Sequence, residues 1–101
     1  MKTELHFINT GKNEALEAMV AEKLAKIDKK YSWVTNAAVF LKGEQHKEGD
    51  NFCCEVRLSV PGPQLYAEAT ETTFNRAVHE VFHQLDVQLE KHKDKMYDKT
   101  K

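Results

Sequence analysis

The sequence predicts an α+β fold, a two-layer sandwich of the order β-α-β-β-β-α, with a four-stranded sheet and two helices packed on one of its faces. Three observations carry that prediction. Apolar residues recur at helical spacing in two segments: Leu16, Met19, Val20, Leu24, Ile27 and Tyr31, then Phe74, Val78, Val81, Leu85, Leu89 and His92. Residues 52–60 alternate with period two, Phe52, Cys54, Val56, Leu58 and Val60 inward and Cys53, Glu55, Arg57 and Ser59 outward. Turn-forming residues, Asn9-Thr10-Gly11 and Pro61-Gly62-Pro63, separate the periodic segments. All of these one-sided stripes are buried together if both helices cover the same sheet face.

In chain order, Lys2–Ile8 is the first strand, with Leu5 and Phe7 facing one way and His6 and Ile8 the other. Asn13 can accept from the first turn of a helix starting at Glu14, which the apolar stripe carries to about Tyr31. A second strand covers about Thr35 to Lys42, and the polar run Gly43–Asn51 reads as a long hairpin loop. After the alternating third strand, Gln64–Ala69 makes a fourth. Thr72 or Thr73 caps the last helix, which is expected to fray after about residue 96.

Length and composition bound the function. A chain of 101 residues fits one domain, residues 1–101, with one core and little room for a separate catalytic domain. No apolar run approaches the roughly 20 residues of a membrane span, and the N-terminus lacks a signal-peptide core, so a cytoplasmic location is expected. Lys+Arg is 15 against 16 for Asp+Glu, which argues against a strongly basic nucleic-acid binder unless the charge is sorted onto one face. The adjacent Cys53 and Cys54 make no disulfide scaffold; on a strand they read as one buried and one surface thiol in a reducing compartment.

Helical geometry shows that the charge is sorted. With Leu16 at zero, Lys23, Lys26, Lys29 and Lys30 fall between roughly 220° and 340°, while Glu14, Glu17 and Asp28 lie near 100–160°. With Phe74 at zero, Arg76, Lys91, Lys95 and Lys99 lie between roughly 200° and 340°, and Asp86 and Glu90 near 120–160°. Glu80 and Lys93 break the sorting on this second helix. A solvated, mixed-charge surface is one reading, and a basic edge that meets phosphates is the other. Lys42, Arg57 and an aromatic such as Phe40 or Tyr66 would add a contact surface on the outer sheet face.

His79-Glu80-Val81-Phe82-His83 matches the H-E-x-x-H pattern, in which two His one turn apart bind zinc and the Glu is a general base. A catalytic zinc needs a third protein ligand, and Glu90, His92 and Asp94 all lie further along the same helix. On the wheel His79 and His83 sit near 140° and 180°, opposite the apolar stripe, facing solvent with no cleft expected around them. No metal site, cofactor, triad, phosphate loop or nucleotide fingerprint is expected.

The element order, Glu22-Lys23-Leu24-Ala25-Lys26-Ile27-Asp28-Lys29, Tyr66-Ala67-Glu68-Ala69 followed by Phe74-Asn75-Arg76-Ala77-Val78, and Gln88-Leu89-Glu90-Lys91-His92-Lys93-Asp94-Lys95 together resemble the ribosome hibernation promoting factor family, which includes the ribosome-associated inhibitor (protein Y) proteins. The resemblance covers nearly the whole chain. It implies a non-enzymatic stress factor of the short type, bound to the small (30S) subunit between head and body. There it contacts 16S rRNA and fills the space of mRNA and of A- and P-site tRNA. Lys23, Lys26 and Lys29 match the family's basic positions on the first helix, and Lys91, Lys93 and Lys95 those at the end of the last. Gln84 and Val87 depart from it, since members usually carry Lys or Arg there. The expected RNA contacts are thus Lys23, Lys26, Lys29, Lys30, Lys42, Arg57, Arg76, Lys91, Lys93 and Lys95. The protein is expected to be monomeric off the ribosome, with no small-molecule substrate and no membrane partner. The alternatives are a double-stranded RNA-binding module, an H-E-x-x-H zinc metalloprotease and an interaction domain that has lost RNA binding.

Overall fold

A computed structural model describes residues 1–46 and 49–97. The elements follow in the expected order: β1 (Lys2–Ile8), α1 (Glu14–Lys30), β2 (Asn36–His46), β3 (Gly49–Ser59), β4 (Gln64–Glu71) and α2 (Phe74–Tyr97). The sheet is mixed and runs β1-β2-β3-β4. β1 and β2 are parallel, with Leu5 opposite Val39, and the two remaining pairs are antiparallel, with Val56 between Val39 and Ala67. Parallel neighbours need a crossover, which α1 supplies; the antiparallel pairs need only turns. By this pairing β1 and β4 point the same way. Each is followed by a helix, so α1 and α2 run side by side in the same direction.

Local signals start both helices. Asn13 Oδ1 accepts from the Leu16 amide at 3.1 Å. Of the two candidate threonines it is Thr73 that caps α2, its Oγ1 accepting from the Arg76 amide at 3.2 Å. Two glycines are needed where they stand. A Cβ on Gly43 would meet the Asn9 carbonyl oxygen at 2.7 Å, so β2 can pass the turn after β1 only there. Gly62, at φ +100°, turns the chain between Pro61 and Pro63. His92 braces that turn, with Nε2 2.9 Å from the Pro61 carbonyl oxygen.

The core lies between helices and sheet. It joins Leu16, Val20, Leu24, Ile27 and Tyr31 of the α1 stripe to Val39, Leu41, Cys54, Val56 and Leu58 of the central strands and Val78, Val81, Leu85 and Leu89 of α2. Full burial of one such aliphatic side chain is worth roughly 1.5–3 kcal/mol. Phe52 and Phe74 close one end, their rings 4.7 Å apart.

Two expectations are corrected. Gly43–Asn51 is not a long loop: β2 continues to His46 and β3 starts at Gly49, with Glu44 opposite Asn51 and Gln45 opposite Asp50. Backbone pairing needs no apolar side chains, so this end of the ladder reads as polar loop. Positions 47 and 48 of that run lie outside the described residues, as does Lys99. Second, the outer face of β3 is not simply solvated. Cys53 is 4% exposed and Glu55 5%, so both thiols are buried. β3 is central, and long side chains from β2 and β4 lie across it. Burial pushes the Cys53 thiol up and the Cys54 thiol up to about 12, which makes both poor nucleophiles. No helix among the described residues is long and apolar enough to cross a membrane.

Candidate nucleic-acid interface

The basic edge of α1 faces α2. Lys23, Lys26, Ile27, Lys30 and Tyr31 form one wall of a cleft of about 350 Å³, and His79, Phe82, His83 and Asp86 form the other. Lys29, the furthest round the α1 wheel, is not among its lining residues. The α2 flank turned to α1 is therefore its histidine and acidic flank. Lys91 and Lys95 lie roughly 120–160° further round the helix, so the basic edges of α1 and α2 do not adjoin across the cleft. Lys93 shares the cleft-side flank, about one turn beyond Glu90.

The acidic residues of that flank act on Lys30. Its Nζ lies 3.1 Å from Glu90 Oε1 and 3.8 Å from Asp86 Oδ1. Tyr31 Oη donates to the same Glu90 oxygen at 2.7 Å, with Asp86 Oδ1 at 3.3 Å. The Glu90 contact, then that of Tyr31, holds Lys30 above the ordinary lysine range. Burial first, then the bond to Glu90, pushes the Tyr31 hydroxyl up to about 12. Lys30 is thus a bolt between the helices more than a free contact for RNA. Lys26 is 3.7 Å from Glu22, an exposed i,i+4 pair of little strength. Lys23 has no carboxylate within 4.0 Å among the described residues, and neither does Lys29, Arg76, Lys91, Lys93 or Lys95.

Lys42 and Arg57 lie on the opposite face of the sheet. They converge on Glu55: Lys42 Nζ is 2.9 Å from Oε1, and Arg57 Nη2 and Nε are 2.9 and 3.0 Å from Oε2. Arg57 also sits over the Phe40 and Tyr66 rings, 5.6 and 5.9 Å from their centroids. The Lys42 hydrogen bond holds the Glu55 carboxyl below its ordinary 4.5. A lowered carboxyl contributes stability above its unfolded value, and the contribution is lost as the pH falls through the folded value. Glu55→Gln is therefore expected to be less stable than wild type at pH 7, with a gap that closes below about pH 4 in urea titrations. A gap unchanged by acid would show that the clamp contributes nothing through its charge.

The ten expected RNA contacts thus divide among several places. Lys23, Lys26 and Lys30 share the cleft, and Lys29 lies beyond it on α1. Lys91, Lys93 and Lys95 stand on the last turns of α2, Lys95 beside Pro61, Gly62, Pro63, His92 and Met96. Arg76 lines a separate hollow with Met19, Glu71, Asn75, His79 and Glu80. Lys42 and Arg57 are held by Glu55 on the far face, so they cannot share a flat surface with the helix cations.

For His79 and His83 the expected exposure is observed, and the expectation of no cleft around them is corrected. Both are exposed, yet they face a cleft, because α1 lies along the flank that a wheel of α2 alone assigns to solvent. Their i,i+4 spacing on one flank of α2 was the available signal; that this flank faces α1 is set by the packing on the sheet. No group of three His, Cys, Asp or Glu able to hold a metal is gathered among the described residues.

The sequence profile of the Sigma 54 modulation protein / S30EA ribosomal protein family matches residues 3–97. The chain belongs to that family. It is 32% identical over 82 residues to a ribosome hibernation promoting factor of Pseudomonas putida (strain KT2440), a match covering 81% of this chain and 76% of the relative. In fold it is similar to a ribosomal subunit interface protein from Coxiella burnetii, with a TM-score of 0.81 at 19% identity over 92% of this chain and 98% of that one. It is also similar to the Protein Y N-terminal domain of Thermus thermophilus, with a TM-score of 0.75 at 20% identity over 91% and 99% of the two chains. In this S30EA family member Gln84 is engaged by Glu80, its Nε2 donating at 3.2 Å, and Val87 is exposed. Neither supplies a cation to α2, so α1 carries most of the positive charge at the cleft.

Proposed function

We propose that this protein is a ribosome hibernation factor that binds the small ribosomal subunit through 16S rRNA, in the region of the mRNA and the A- and P-site tRNAs, and halts translation under stress. The family match over residues 3–97 is the observation that carries this reading. The name of the Pseudomonas putida relative supports it. Its role is non-catalytic and cytoplasmic, and the protein is a monomer off the ribosome. Phosphate neutralisation falls to Lys23, Lys26 and Lys29 of α1, to Arg76 and to Lys91, Lys93 and Lys95 of α2. Lys30, Lys42 and Arg57 contribute less, being already paired. Such contacts position the protein and read no bases.

The test is a sucrose-gradient profile of the protein with 30S subunits at two salt concentrations. The protein is expected to travel with the 30S peak at low salt and to leave it as salt rises, with log K falling by about 0.7–0.9 per phosphate neutralised for each unit of log salt. Absence from the 30S peak at low salt, or binding indifferent to salt, would overturn the reading.

A further inference from the structure

We propose that the cleft between α1 and α2 is a phosphate-binding site gated by protonation of His79 and His83. The proposal rests on the reading of the helices as an RNA-binding surface and adds a pH dependence to it. The cleft holds about 350 Å³ and is open to solvent along two exposed imidazoles. Its cations are in different states. Lys30 is engaged by Glu90 and Asp86, which leaves Lys23, and Lys26 with its weak exposed pair to Glu22, to meet an anion. Across from them, His79 and His83 stand one helical turn apart on one flank. A neutral imidazole has one N–H donor and one acceptor nitrogen, and the acceptor repels a phosphate oxygen. A protonated one has two donors and a positive charge. Histidine is the side-chain type that makes this change between about pH 8 and 5.

The groups around the two histidines decide how the change is felt. His83 shares the cleft with Lys23, Lys26 and Lys30 of α1 and with Asp86 on its own helix. His79 shares it too, and also faces Glu71 at the end of β4, Arg76, and Glu80, in the adjoining hollow. An imidazolium facing a phosphate across the cleft adds an attraction that the neutral ring lacks. Bound anion and imidazole protons therefore support each other, and anion affinity rises on acidification.

The experiment follows the two histidine ring Cε1–H signals by NMR while inorganic pyrophosphate is titrated in near pH 6 and near pH 8. A parallel series measures 30S affinity at the same two pH values for wild type and for the His79→Asn, His83→Asn double variant. Saturable shifts of both signals are expected near pH 6, with affinity roughly tenfold lower near pH 8. Wild-type 30S affinity should show a similar pH ratio, which the double variant loses. Pyrophosphate that leaves both signals unmoved near pH 6, or binds equally at the two pH values, overturns the proposal. So does an equal pH ratio in wild type and double variant. Pyrophosphate binding without 30S binding would retain the cleft and reject the ribosome reading. Binding to 30S with silent histidines would do the reverse.

Discussion

Reversing three charges, with Lys23→Glu, Lys26→Glu and Lys91→Glu in one chain, is expected to remove the protein from the 30S peak. Lys23 and Lys26 stand on the α1 edge that faces the cleft, and Lys91 on the exposed side of α2. Each substitution deletes one counterion-releasing contact and places a carboxylate against the phosphates. At about tenfold per position, the loss is roughly a thousandfold at fixed salt, and the salt slope falls by about 2–3. Stability should hardly change, because the one ion pair broken among the described residues, Lys26–Glu22, is surface-exposed. Lys42→Glu supplies the contrast. It lies on the far face and is already committed to Glu55, so its effect on ribosome binding should be far smaller. A triple variant that still travels with 30S subunits would place the interface elsewhere.

Tyr31→Ala is expected to cost about 3–5 kcal/mol, the range for deleting a buried aromatic, and to lower the melting temperature by more than about 10 °C. Tyr31 is 1% exposed, packs edge-on against Trp33 with ring centroids 5.5 Å apart, and ties the end of α1 to Glu90 of α2. Tyr31→Phe keeps the ring and loses only the hydroxyl, so its loss should be smaller. Alkali separates the two contributions. With its folded value raised to about 12 from 10.0, the phenol contributes stability fully below pH 10, and that contribution is lost as the pH rises through 12. Wild type should therefore lose its advantage over Tyr31→Phe across that window in chemical denaturation. A constant difference would show that the hydroxyl does not couple the helices. Tyr31 also lines the cleft with Lys23, Lys26, His79 and His83, so 30S binding should weaken in Tyr31→Ala even where the variant is folded.

Much of the architecture was legible because it rests on local periodicity. The stripe Leu16, Val20, Leu24 and Ile27 marks a helix whatever packs on it, as does Val78, Val81, Leu85 and Leu89. Asn13 acts on an amide three residues away, a distance that sequence spacing alone specifies, whereas the choice of Thr73 over Thr72 as the α2 cap came from the structure. The hairpin arm of β2 and β3 was not legible, because Glu44 and Asn51 pair through their backbones and carry no apolar signal. Nor was the burial of Cys53 and Glu55, which depends on residues brought from neighbouring strands.

The candidate site divides along the same line. A wheel assigns each lysine and histidine an angle about its own helix axis, and those angles were sufficient to separate basic from acidic edges. How one helix is turned towards another is set by long-range packing on a shared sheet, where β1 and β4 point the same way and carry α1 and α2 alongside each other. That packing turned the basic edge of α1 towards His79, His83, Asp86 and Glu90, rather than towards Lys91 and Lys95. Element order, helix caps and charge sorting were thus properties of the chain itself. Which charges meet, and which of them are cancelled, depended on contacts between residues some sixty positions apart, such as Lys30 and Glu90, that no local pattern encodes.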